Sequence, residues 1–230
     1  MKKSLYVLLT AAVLFFAGCG ILDEDDAGVA VYRFFNARHV NERMAVGVKS
    51  DASELFSVSL GYAQETFRRV DWKEGDRWDI RYRQDFVVSY EGIRPAAVMK
   101  IMVAIGNSAE QNDPVIFDGP SAGDTDPRRA LVKVVNAMRG DVRDGTDALR
   151  LHLNNSGDYE TALLILGETS GEWYSVAAGE NSLIEVKDRY GNFRNTSTDS
   201  LFAGHAYLIV IYENRAVTGE PKVSVVDVTP

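Results

Sequence analysis

From about residue 28 onward, apolar and polar residues alternate with period two, the spacing of strands with one buried face. Ala30, Tyr32 and Phe34 alternate with Arg33, and Val132 and Val134 alternate with Lys133. The charged residue takes the same face in both segments, which predicts that Arg33 and Lys133 sit on the open side of half-buried strands. Trp78-Asp79-Ile80-Arg81-Tyr82-Arg83 alternates as cleanly, with Trp78, Ile80 and Tyr82 facing inward, and Ile184-Glu185-Val186-Lys187 does the same. Two segments break the alternation. Val98 to Ile105 and Ala206 to Tyr212 are near-continuous apolar runs, which predict central strands covered on both sides or strands next to a partner domain. Turn residues punctuate the chain at Lys73-Glu74-Gly75-Asp76, Asn154-Asn155-Ser156-Gly157, Ala178-Gly179-Glu180-Asn181 and Tyr190-Gly191-Asn192. Roughly seven short strands per hundred residues predict an all-β chain of tandem antiparallel β-sandwich domains, immunoglobulin-like in type. Helix is expected for a turn or two at most.

The pattern repeats at a spacing of about 100 residues. Tyr32-Arg33-Phe34-Phe35-Asn36-Ala37 matches Val132-Lys133-Val134-Val135-Asn136-Ala137. Val46-Gly47-Val48 aligns with Leu151-His152-Leu153, Leu60-Gly61 with Leu166-Gly167, and Gly75 with Gly179. Ile80-Arg81-Tyr82 aligns with Ile184-Glu185-Val186, Lys100–Ile105 with Ala206–Ile211, and Pro114-Val115 with Pro221-Lys222. The fixed order points to duplication of a whole domain rather than a solenoid unit. Between the copies, Asp118-Gly119-Pro120-Ser121-Ala122-Gly123-Asp124-Thr125-Asp126-Pro127 has the composition of a linker. The expected division is a first β-sandwich domain at 28–118, a linker at 119–128 and a second β-sandwich domain at 129–230.

The first 27 residues follow a different rule. Met1-Lys2-Lys3 precedes an apolar stretch from Leu5 to Ala17, and Phe16-Ala17-Gly18-Cys19 closes it. A helix of that length spans roughly 20 Å, short of the hydrocarbon core of a bilayer, roughly 30 Å thick. The segment is therefore read as a signal peptide, residues 1–18. Phe16-Ala17-Gly18-Cys19 resembles the lipobox of bacterial lipoproteins, with Phe16 where Leu is usual. That resemblance implies a diacylglycerol thioether and an acylated amine (palmitate or a similar chain) on Cys19, and so a membrane partner. Cys19 is the single cysteine, so no disulfide framework is expected. Gly20 follows it rather than Asp, which by the same resemblance implies an outer-membrane destination in a Gram-negative envelope. Asp23-Glu24-Asp25-Asp26 makes residues 19–27 an acidic tether.

Charge narrows the partners. Without Lys2 and Lys3, 23 basic residues face 33 acidic ones, a net charge near −10. Such a chain repels phosphate backbones, so nucleic acid is not an expected partner.

Several motifs of the second copy coincide with a known pattern: Val134-Val135-Asn136-Ala137, Leu149-Arg150-Leu151-His152-Leu153-Asn154, Leu163-Leu164-Ile165-Leu166-Gly167, Tyr174 to Gly179, Ile184-Glu185-Val186 and Leu201 to Val210. This resembles the bacterial family catalogued as domain of unknown function 4397. The resemblance covers about 100 residues per copy and departs where Arg38-His39-Val40 and Met138-Arg139-Gly140-Asp141 replace that family's proline-rich loop. It implies extracytoplasmic, lipid-anchored β-domains in tandem, and supplies no catalytic residues.

The search for chemistry yields little. His39, His152 and His205 have no metal-ligand spacing. Gly167-Glu168-Thr169-Ser170-Gly171 places its serine one residue away from a nucleophile elbow. No phosphate-cradling loop occurs. Asp124 with Asp126, and Asp141 with Asp144 and Asp147, offer too few oxygens in the wrong pattern for calcium. Arg139-Gly140-Asp141 spells an adhesive tripeptide, which three residues alone do not establish. Trp72 and Trp173 stand at comparable places near strand ends and are candidate ligand-binding residues, since exposed aromatics stack on sugar rings. No cofactor, metal or catalytic residue is expected. The expected function is non-catalytic: a lipid-anchored envelope protein with a structural or protein-interaction role. A carbohydrate- or peptide-binding module is the first alternative, and an envelope hydrolase with a site between the domains is the second. Oligomeric state is not readable from the sequence.

Overall fold

The computed structural model describes residues 28–38, 44–49, 54–72, 78–82, 86–90, 99–106, 114–121, 123–138, 148–154, 159–217 and 219–230. Cys19, the acidic tether, His39, Gly75, Arg139-Gly140-Asp141 and the remaining aspartates of that segment lie outside these residues. All regular structure among the described residues is strand. The first half carries β1 (Gly28–Asn36), β2 (Met44–Lys49), β3 (Glu54–Leu60), β4 (Glu65–Trp72), β5 (Trp78–Tyr82), β6 (Phe86–Tyr90), β7 (Met99–Ala104) and β8 (Val115–Asp118). The second half carries β9 (Arg129–Asn136), β10 (Leu149–Asn154), β11 (Tyr159–Glu160), β12 (Tyr174–Ala177), β13 (Gly179–Asp188), β14 (Phe193–Leu201), β15 (Ala206–Glu213) and β16 (Pro221–Asp227).

The strands form four sheets of four. Their orders are β4-β1-β7-β8 and β3-β2-β5-β6 in the first half, and β12-β9-β15-β16 and β11-β10-β13-β14 in the second. Each order of the second half is that of the first with every label advanced by eight. The sheets are not purely antiparallel, as the alternation had predicted. β1 runs parallel to β7, and β9 runs parallel to β15. A parallel pair needs a long connection. Strands β2–β6 and β10–β14 provide it, because the chain builds most of one sheet before returning beside its first strand.

Two cores explain the apolar runs. In the second half, Val132, Val134, Tyr207, Ile209 and Ile211 pack against Leu149, Leu151, Leu153, Ile184 and Val186 of the facing sheet. A further core joins the halves. Phe35, Met99, Ile101 and Val103 from the sheet of β1 and β7 meet Leu131, Val135, Ala206, Leu208 and Val210 from the sheet of β9 and β15. These two sheets are therefore inner layers, and β15 is apolar on both faces for that reason. Fully burying an aliphatic side chain stabilises by roughly 1.5–3 kcal/mol, so a shared core of this extent is a strong attachment.

One polar device recurs in both halves. Asn36 and Asn136 are fully buried at the ends of β1 and β9. The Asn36 amide donates to the Leu60 carbonyl at 3.0 Å and the Asn136 amide to the Leu164 carbonyl at 2.7 Å. Their side-chain oxygens accept from the N–H groups of Arg38 and Met138. The next residues, Ala37 and Ala137, donate to Ala104 and Ile211. The Asn-Ala step thus locks the strand exit to the loop beneath it.

Register refines the repeat. Val46 pairs with Tyr82 as Leu151 pairs with Val186, so these segments correspond as aligned. The Asn side-chain amides match Leu60 with Leu164, and the N–H groups that donate to the Asn backbone carbonyls match Ala63 with Gly167, rather than Leu60-Gly61 with Leu166-Gly167. Tyr32 pairs with Lys100 and Val132 with Tyr207, so Lys100 corresponds to Tyr207, one residue later than aligned. Val103 pairs with Val115 and Val210 with Ser224, which moves the proline match by two. Unbroken apolar runs contain no polar mark that fixes their register.

Candidate functional site

Arg33 and Lys133 lie on the sheet faces that meet, each among the residues of the shared core on its own strand. The open-face expectation fails for both: the outward side of each strand is covered by the other half. Lys133 sits on β9 with its ammonium 4.9 Å from the centre of the Phe117 ring of β8 and 5.8 Å from that of Trp173. It donates to the Gly171 carbonyl. Burial lowers its pKa, while Glu172 and Asp118 pull it back up. The Trp173 indole N–H donates to the Asp118 carbonyl at 3.2 Å, and the Phe117 and Trp173 rings meet edge-on at 6.5 Å. Residues of both halves are thus tied around one ammonium, held over aromatic faces that favour a cation.

These groups line a cleft of about 470 Å³, bounded by Asp118, Gly119, Lys133, Gly171, Glu172 and Trp173. That volume suits a small ligand. Its two carboxylates are both open to water, and that of Asp118 is paired with Lys100. Acid–base work on a glycoside needs one carboxyl shielded enough to hold its proton.

A second group stands at the corresponding place on the other side. Arg33 lies opposite Phe67 in the β1–β4 register, and its guanidinium is 5.2 Å from the Phe67 ring centre. Burial lowers the Arg33 pKa, with Glu65 and Asp227 acting to raise it. Burial pushes Glu65 upward against the pull of Arg33. Asp227 is also pushed up by burial, but the Thr229 hydroxyl and N–H and His205 more than offset this, and its pKa is lowered overall.

The two histidines among the described residues are each paired with a carboxylate. His152 Nδ1 meets Glu185 Oε2 at 2.8 Å, with Lys187 beside it, and His205 Nδ1 meets Asp227 Oδ2 at 2.8 Å. The linker aspartates act as turn caps: Asp124 accepts from the Ser121 N–H and Asp126 from the Arg128 N–H. Of the candidate ligand-binding residues, Trp173 lines the cleft and is half-buried in the shared core. The backbone of Trp72 ends β4, and its side chain is outside the described residues. Sequence reasoning missed Phe117, Asp118 and Lys133 as one group. The available signal was a charge at the same place in two otherwise apolar strands.

The chain matches no family model and no curated protein. Solved structures give distant likenesses. A candidate cell adhesion protein from Bacteroides eggerthii aligns at 8% identity and a TM-score of 0.26, covering 88% of this chain and 96% of that one. A fimbrial assembly protein from Parabacteroides distasonis aligns at 7% identity and 0.24, covering 88% and 96%. A candidate adhesin from Bacteroides ovatus aligns at 10% identity and 0.23, covering 91% and 96%. TM-scores of this size lie below the level of a shared fold.

Proposed function

We propose that this chain is a non-catalytic, lipid-anchored envelope protein with a structural or protein-interaction role. Cys19 carries the lipid, residues 19–27 give clearance, and two β-sandwich domains at 28–118 and 129–230 act as one rigid body. The observation that carries the reading is the shared core between the inner sheets. The charged and aromatic groups beside it, Lys133, Trp173 and Asp118, are bound to one another across that junction. Such groups hold a body together rather than wait for a substrate.

Anchoring is tested by fractionation. The wild-type protein expressed in a Gram-negative host is expected in the membrane fraction, with a diacylated N-terminal peptide by mass spectrometry. Cys19→Ser is expected in the soluble fraction. An unmodified Cys19 thiol on a freely soluble wild type contradicts the anchor.

One observation favours a second reading. The cleft beside Trp173 offers a part-exposed indole and polar groups to a glycan or peptide. That reading predicts saturable binding to an oligosaccharide array, lost in Trp173→Ala. An array without hits, from protein that melts normally, rejects it for glycans.

A further inference from the structure

We infer that the face joining the two halves is a self-complementary, twofold surface, so that its fitting partner is a second copy of the same kind of face. In a twofold contact, a residue pair touching across the surface has a mate in which the roles are exchanged. The strand registers fix the equivalences without reference to sequence likeness. Arg33 corresponds to Lys133, each three residues before the asparagine that closes its strand, and each lies over an aromatic ring of the neighbouring edge segment, Phe67 or Trp173. Lys100 pairs with Asp118 and Tyr207 with Asp227, so Asp118 corresponds to Asp227. Lys133 of the second half is held between the aromatics Phe117 and Trp173, with Asp118 of the first half acting on it. Arg33 of the first half lies over Phe67, with Asp227 of the second half acting on it. The roles are exchanged as a twofold axis requires.

The loop ends make the same statement independently. Ala63 matches Gly167, so Tyr62 matches Leu166. Lys100 matches Tyr207, so Ile105 matches Tyr212. Tyr62 donates to the Glu213 carbonyl, and its ring meets Tyr212 edge-on at 5.6 Å. The mate of that contact pairs Leu166 with Ile105. Both lie in the shared core, and a Cβ on the adjacent Gly167 would stand 3.0 Å from Ile105 Cδ1. Tyr62 lies by the end of β1 and Glu213 ends β15, so the axis runs along the strands. The central contacts are apolar in both halves: Phe35 with Val135, Ile101 with Leu208 and Val103 with Val210 are equivalent positions within one core. Each half therefore carries both sides of these contacts at equivalent positions, which is what a pair of like halves requires.

The test uses the full chain carrying Cys19→Ser, with a protease site inserted in the 121–124 turn and cut after folding. Native mass spectrometry over a range of concentrations is expected to show pairs of two first halves and of two second halves, beside the original pair. The original pair alone at every concentration overturns the inference. Should the cut protein aggregate, the uncut chain decides. Arg33→Ala and Lys133→Ala are each expected to lower one melting transition by about 2–4 °C, the scale of a 1 kcal/mol loss in a chain this long. A loss confined to one of the two overturns the inference.

Discussion

Asn136 shows how a single residue sets local structure. Its amide and side-chain oxygen bond the Leu164 carbonyl and the Met138 N–H, both at buried positions. Asn136→Ala leaves both groups without their partner, at about 1–3 kcal/mol for each unsatisfied group. Chemical denaturation is expected to show a loss in that range, with Asn36→Ala similar. Gly167 makes a sharper contrast. Its φ of +83° and the nearby Ile105 both oppose a side chain, whereas Gly171 has the same φ and open space. Gly167→Ala is therefore expected to destabilise more than Gly171→Ala by melting temperature. The Asn-Ala step was legible in the sequence as a repeated motif. Its cause was not, because the carbonyl it serves lies 28 residues away. Arg33 and Lys133 show the other limit. Alternation tells which side of a strand a residue takes and leaves open what covers that side.

At the scale of elements, the β13–β14 hairpin rests on Asp188. Its carboxylate accepts from the Asn192 side chain at 3.0 Å and from the Asn192 and Tyr190 N–H groups at 2.9 Å each. The Asn192 side-chain bond, with those backbone bonds and Arg194, holds the Asp188 carboxyl below its ordinary pKa. A depressed folded pKa means that the stabilisation is present above the unfolded value of about 3.9, and is lost as pH falls through the lower folded value. The protection of the amides of residues 190–192, measured against the intrinsic exchange rate at each pH, is expected to fall on acidification below about pH 4. Asp188→Ala is expected to remove that step and leave exchange fast throughout. A hairpin whose protection ignores pH contradicts this account of the turn. Tyr190-Gly191-Asn192 was readable as a turn from its glycine and asparagine. The parallel pairing of β1 with β7 was not, since a local period carries no information about which strand lies beside which.

The whole molecule is a stack of sheets whose two inner layers share a core. All-β character followed from period two, and the apolar runs at β7 and β15 already implied covered faces. The identity of the cover, one half of the chain for the other, needed three dimensions. The same holds for the cleft, because Asp118 and Lys133 belong to different halves and no spacing rule relates them. The central claim, that both halves form one body, is tested most directly by calorimetry of the Cys19→Ser chain. The account predicts a single transition, with calorimetric and van't Hoff enthalpies equal, as a two-state unit requires. It also predicts that Val103→Asp, which puts a charge into the shared core, splits that transition in two. Two separate transitions in the parent protein, unchanged by Val103→Asp, would contradict it.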